Sequence, residues 1–153
     1  MGSNGDLNAN TECLSSTGDV ILDKAVRQWI TWDKGVYKYL VKYFPDLNAR
    51  GLVVGYDTRA QASSGCTSER LARLSAAVML CKDVPVYLFS NYVPTPFVPY
   101  AVMKFGAAAG IMITASHNRK EDNGYKVYWH NSAHISSPHD KEILHCIEES
   151  TEP

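Results

Sequence analysis

The sequence predicts a three-layer α/β/α domain with a mixed, mostly parallel sheet, and three observations carry that expectation. From residue 51 onward the pattern alternates strand, helix, strand, helix, strand. The third of these strands, Ala109-Gly110-Ile111-Met112-Ile113-Thr114, is apolar on both faces, as expected in the middle of a helix-covered sheet. Only about ten loop residues separate it from a fourth strand at Tyr125 to Trp129, too few for a helical crossover, so that strand should run antiparallel.

The elements follow in order. Residues 1–18 are rich in Ser, Thr, Asn and Gly and carry too little apolar surface to repay ordering, so they read as a floppy tail ahead of a folded region at 19–153. Asp19 caps a helix whose apolar stripe is Ile21, Leu22, Ala25, Val26, Trp29 and Ile30; Gly35 interrupts it. A second short helix spans Val36 to Phe44, with Pro45 closing it. Leu52 to Tyr56 is a β-rich run, and the polar loop from Asp57 to Gly65 follows. Thr67 caps a helix running to Cys81, with Leu71, Leu74, Val78 and Cys81 on one stripe. Val84 to Phe89 is a strand with Pro85 near its start, where a missing donor is tolerated. Pro94-Thr95-Pro96 opens a helix to Phe105, and Pro138 to Glu149 makes the last helix.

Composition excludes several functions. With 45% hydrophobic residues in 153, the chain is long enough to bury roughly two thirds of its extended surface without disulfides or metals. Fifteen Lys and Arg against 16 Asp and Glu leave a net charge of −1, which gives no basic field for a nucleic-acid backbone. No stretch approaches the roughly 20 apolar residues of a membrane helix, and the polar start lacks the apolar run of a signal peptide. Asp6 stands where a myristoylation signal wants Ser or Thr, so a cytoplasmic chain with no membrane partner is expected. The four cysteines form no CxxC pair, which favours reduced thiols.

Loops after parallel strands share one edge of such a sheet, where ligands bind. Here those loops carry Asp57-Thr58-Arg59, Thr95 with its prolines, and Thr114-Ala115-Ser116-His117-Asn118. Ser116, beside small Ala115 at the end of a buried strand, is the residue placed to present a hydroxyl, but serine is a weak nucleophile unless activated or already carrying a transferred group. His117 is adjacent, where side chains usually diverge, and GxSxG is absent, so no hydrolase couple is implied. On chemistry alone Ser116, His117 and Asn118 also read simply as a turn. Arg59 and Lys126 bring two cations to the same edge and together suit a phosphate; either alone reads as a solvated surface charge. His130, His134 and His139 cluster without a carboxylate or cysteine at ligand spacing and read as surface residues. Trp29, Trp32 and Trp129 read as core or interface anchors.

The string Thr114-Ala115-Ser116-His117-Asn118, followed by Asp122-Asn123-Gly124-Tyr125-Lys126, resembles the phosphoserine loop and following strand of the α-D-phosphohexomutases. Gly55-Tyr56-Asp57-Thr58-Arg59 and Val93-Pro94-Thr95-Pro96 resemble two further segments of that family's first domain, and the run through Trp129 is most similar to the phosphoglucomutase and phosphopentomutase branch. The resemblance implies that Ser116 is phosphorylated and passes its phosphoryl group to a sugar phosphate. It implies proton transfer and phosphate holding at His117 and Lys126, substrate contacts from Arg59, Asn118 and Lys126, and Mg2+ held through the phosphate on Ser116. The implied partners are glucose 1-phosphate and glucose 1,6-bisphosphate, with 1,3-bisphosphoglycerate as donor if the activity is bisphosphate synthesis.

Against that family the chain has departures. Trp29 to Lys34 runs straight into Gly35-Val36-Tyr37, where the family has a long segment containing its first strand and phosphate loop, and the later magnesium-binding, sugar-reading and phosphate-binding parts have no counterpart. The expectation is therefore a partial first domain with an unpaired sheet edge, inactive alone. The alternative is a noncatalytic phosphate-binding or interaction module that pairs through that edge.

Overall fold

A computed structural model describes residues 6–9, 19–61, 66–116 and 123–150. Its centre is a five-stranded sheet in the order β1-β7-β6-β2-β5, formed by β1 (Asp6–Ala9), β2 (Leu52–Tyr56), β5 (Val86–Leu88), β6 (Ala109–Ile113) and β7 (Asn123–Trp129). β2 pairs in parallel with β5 and β6, while β7 runs antiparallel to β6, so the sheet is mixed as expected. A short antiparallel pair, β3 (Ala60–Gln61) with β4 (Cys66–Thr67), stands apart from it, β3 within the stretch the sequence presents as loop and β4 just past it.

Helices cover both faces, which is why β2 and β6 are buried at every position. On one side Val53 and Met112 pack with Val98, Ala101 and Val102 of α4 (Phe97–Phe105). On the other, Leu52, Val54, Ile111 and Ile113 meet α1 (Asp19–Tyr43), α3 (Ser68–Leu80) and α5 (His139–Glu149) through Trp29, Leu40, Leu71 and Ile143. α3 begins where its cap predicts, with the Thr67 hydroxyl accepting from the Arg70 N–H at 3.0 Å. A single turn, α2 (Leu47–Arg50), which the sequence does not signal, leads into β2.

Two expectations are corrected. α1 is one continuous helix through Gly35 rather than two. A Cβ at Gly35 would lie 2.4 Å from Ile147 Cγ1 and 2.6 Å from Ile147 Cα, so this glycine lets α5 approach α1 and does not break the helix. Residues 6–9, expected within the tail, form β1 and pair with β7 in the register Asp6↔Lys126 to Ala9↔Asn123. The remaining outer length of β7 is bonded by the returning chain, Ile135 N–H to Val127 and Trp129 N–H to Ala133. Among the described residues β5 has no strand on its outer side, in line with the expected unpaired edge, whereas the β7 edge is closed along its length. The open backbone groups of that edge favour strand addition even by a segment with weak β-propensity, and propensity alone does not reveal this.

Boundaries shift elsewhere by a few residues. β5 is shorter than its apolar run, and α4 starts at Phe97 because Pro94 to Pro96 form a turn whose carbonyls accept from Phe97 and Val98. Trp29 and Trp129 are core residues and Trp32 packs against the core, as the sequence implies.

Candidate active site

Four segments meet at the carboxyl end of the parallel strands, and each is brought there by its element. Buried β2 delivers Asp57 to Arg59; buried β6 delivers Thr114 to Ser116; β7 starts at Asn123 and Gly124; α3 starts at Ser68. The Asp57 N–H donates to the Ile113 carbonyl at 3.2 Å, fastening the first loop to the end of β6.

Arg59 is held by its near neighbour. Its backbone N–H donates to Asp57 Oδ1 at 3.0 Å, and Nε donates to Oδ2 at 3.1 Å. Both side chains are largely buried, so the pair is less screened than a surface ion pair. Thus oriented, Nη2 reaches 2.5 Å to the main-chain carbonyl of Ser116. On the other side of that residue, the Ser116 N–H donates to Thr114 Oγ1 at 3.1 Å. Ser116 adopts a left-handed φ of 53°, a conformation that costs a non-glycine residue about 1 kcal/mol or more. Side chains clamp both of its backbone groups and keep it there, exposed at the rim.

β7 closes in from the other side. The Thr114 N–H donates to the Gly124 carbonyl at 3.0 Å, and a Cβ on Gly124 would sit 2.5 Å from Thr114 O, so glycine is required for this approach. Ser68 completes the arrangement from α3. Its hydroxyl lies 2.6 Å from Asp57 Oδ1 and 2.9 Å from the Asn123 side-chain amide oxygen, and its N–H donates to the Arg59 carbonyl at 3.0 Å. Ser68 and Asn123 are both buried.

Arg59 and Ser116, named from the sequence, are brought into direct contact. Lys126 lies on β7 opposite Met112, its side chain half-buried on the α4 face. His117 and Asn118 lie outside the described residues. Sequence reading missed Asp57, Ser68, Thr114 and Asn123 as working parts. Asp57 had a signal in its two-residue spacing from Arg59; Ser68 had none, being visible only once α3 is placed. Among the described residues no group of three His, Cys, Asp or Glu side chains is placed to hold a metal ion, so they do not by themselves form the magnesium site that the resemblance implies, nor a histidine one. No helix among them is long and apolar enough to cross a membrane.

Fold and edge together define an α/β/α domain whose polar site sits at the carboxyl ends of its parallel strands. The chain belongs to the phosphoglucomutase/phosphomannomutase family: residues 34–153 match that family's alpha/beta/alpha domain I. It is 50% identical over 206 residues to the glucose 1,6-bisphosphate synthase of Homo sapiens, an alignment covering 97% of this chain and 33% of the relative. It is 57% identical over 120 residues to the phosphopentomutase of Mus musculus, covering 78% and 19%. A crystal structure from Thermus thermophilus, assigned as a phosphomannomutase, superimposes with a TM-score of 0.68 at 26% identity, over 78% of this chain and 25% of that one. The chain thus spans about a third of the length of the synthases it matches. The synthase alignment is longer than the chain itself, so the relative has residues inside it with no counterpart here.

Proposed function

We propose that this chain carries the phosphoryl-accepting serine of a sugar-phosphate phosphotransferase, with Ser116 as acceptor and a sugar bisphosphate such as glucose 1,6-bisphosphate as donor. The observation that supports it most is the clamp on Ser116: an exposed hydroxyl on a backbone fixed by Arg59 and Thr114, at the carboxyl edge of the parallel strands, where open α/β sheets bind ligands. In the step itself Ser116 Oγ forms a bond to phosphorus, the sugar O–P bond breaks, and the hydroxyl proton ends on the released sugar oxygen. Arg59 and Lys126 supply positive charge at this end of the sheet, His117 is the proposed proton carrier, and Asn118 a substrate contact. Fixing the acceptor before the donor arrives is the chain's own contribution, because phosphoryl transfer depends chiefly on positioning and charge stabilisation. The proposed magnesium ion would supply charge neutralisation on the phosphate borne by Ser116.

The test is incubation with phosphorus-labelled glucose 1,6-bisphosphate followed by peptide mass spectrometry. Label on Ser116, absent in Ser116→Ala, is the expected result; label only elsewhere would reject the assignment. Residues 1–153 alone are expected to show no coupled turnover of glucose 1-phosphate to glucose 6-phosphate, nor of 1,3-bisphosphoglycerate with glucose 1-phosphate.

A second reading, an interaction module, is favoured by the far edge of the sheet. There Tyr87 of β5 and Phe97, Tyr100, Met103 and Phe105 of α4 are exposed beside a cavity of about 340 Å³. Sedimentation across a concentration series tests it, with self-association as its expected result.

A further inference from the structure

The hydrogen bonds at the site close into a circuit. From Ser116 it runs through Arg59 to Asp57, from Asp57 through Ser68 to Asn123, and from Gly124 next along β7 through Thr114 back to Ser116. Every residue of it except one lies in a loop at the sheet edge or at the start of β7. Ser68 is the exception, a buried hydroxyl on the first residue of α3, and it bonds to both sides of the circuit. The Ser68 hydroxyl has one proton for two acceptors, Asp57 Oδ1 at 2.6 Å and Asn123 Oδ1 at 2.9 Å, and the nearer, charged Asp57 takes the larger share of it.

We infer that Ser68 is a positioning residue for the Ser116 clamp: it fixes the Asp57 carboxylate, which in turn aims the Arg59 guanidinium at the Ser116 carbonyl. Two features set it apart from an ordinary helix-start serine. The capping of α3 is already performed by Thr67, so the Ser68 hydroxyl is not needed for the helix. The Ser68 N–H also donates to the Arg59 carbonyl, so one residue holds Arg59 by its backbone and, through Asp57, by its side chain. The consequence for transfer rests on Ser116 being the phosphoryl acceptor; the consequence for Arg59 does not.

Three variants of the full chain test it: Ser68→Ala and Ser68→Cys, which remove the strong donor, and Ser68→Thr, which keeps it. The first readout is solvent exchange of the Arg59 Nε–H by nitrogen-15 NMR. Exchange is expected to rise at least tenfold in the Ala and Cys variants and to stay within threefold of wild type in Thr. The second is the rate of Ser116 labelling by glucose 1,6-bisphosphate, expected to fall at least tenfold in Ala and Cys and to be retained in Thr. Thermal midpoints measured alongside show whether the losses follow unfolding; a merely structural serine would move all readouts together and would not be rescued by Thr. Unchanged Arg59 exchange in both the Ala and Cys variants overturns the positioning role. If wild type takes no label, the acceptor reading of Ser116 falls, and the exchange measurement still decides the role of Ser68.

Discussion

Arg59 Nη2 donates to the main-chain oxygen of Ser116 at 2.5 Å across 57 residues of sequence, while the same guanidinium is gripped by Asp57 two residues away. One planar group thus serves two loops at once. A lysine has a single ammonium and cannot reproduce that fork.

Arg59→Lys should therefore lower Ser116 labelling by about a hundredfold or more, the usual scale for removing one charge-stabilising donor. Its cost in stability should be modest, about 1–3 kcal/mol, since two hydrogen bonds of the guanidinium are disturbed while the charge is kept. Labelling kinetics and urea midpoints measured on the same preparation separate the two. Labelling within threefold of wild type would show that the contact is not needed for transfer.

Buried Asp33 gives the fold a pH dependence. On α1 its Oδ1 accepts from Tyr125 of β7 at 2.8 Å, Ser75 of α3 faces the same carboxyl, and Oδ2 has no hydrogen-bond partner among the described residues. Burial pushes its pKa up from 3.8 to about 7, against the opposing effect of those two hydroxyls. The folded state then holds a proton that the unfolded chain releases above about pH 4, so stability falls as pH rises from about 4 to 7 and levels off beyond. Asp33→Asn should remove that slope. Its advantage over wild type in urea denaturation should grow by about 2–3 kcal/mol between pH 5 and pH 7.5. A difference independent of pH would place the Asp33 carboxyl in contact with water.

Gly35→Ala sets helix propensity against packing. Alanine favours a helix interior by about 1 kcal/mol, but its methyl would fall within 2.7 Å of Ile147 backbone atoms, which cannot swing aside. Packing should win, with a net loss of about 1–3 kcal/mol read from urea midpoints. A stabilised variant would show that α5 moves away at little cost.

Removing residues 1–9 deletes β1 and bares the outer backbone of β7 over Asn123–Lys126. Amide exchange within that stretch should quicken at least tenfold, and association at high concentration should increase, because an uncovered edge templates pairing. Unchanged protection across Asn123–Lys126 would show that β1 contributes nothing there.

The parts that were legible in the sequence depend on local chemistry. β6 is read from its unbroken apolar run, the antiparallel sense of β7 from the short loop before it, and α3 from the Thr67 cap. Gly35 misleads because a glycine that breaks a helix and one that admits a neighbouring helix look alike until the neighbour, Ile147, is placed 112 residues on. β1 misleads because its pairing is decided by the edge it joins. At the site, Ser116 and Arg59 stand out as a terminal hydroxyl and a terminal cation, whereas Ser68 and Asn123 act through partners 11 and 55 residues apart.

The tryptophans divide between the two ends of the sheet, and this makes them built-in optical probes. Trp29 and Trp32 have their rings within 5.6 Å and 6.3 Å of Tyr125, one residue from the Gly124 carbonyl that receives the Thr114 N–H. Trp129 sits at the opposite end of β7, stacked on His139 at 4.7 Å and packed against Tyr39, Tyr43 and Phe44. Light emitted by the first pair senses the packing around Tyr125, and that of Trp129 senses the far end of the same strand. With Trp129→Phe as the background, a change that reaches Tyr125 is read from the first pair's own emission, with no label attached.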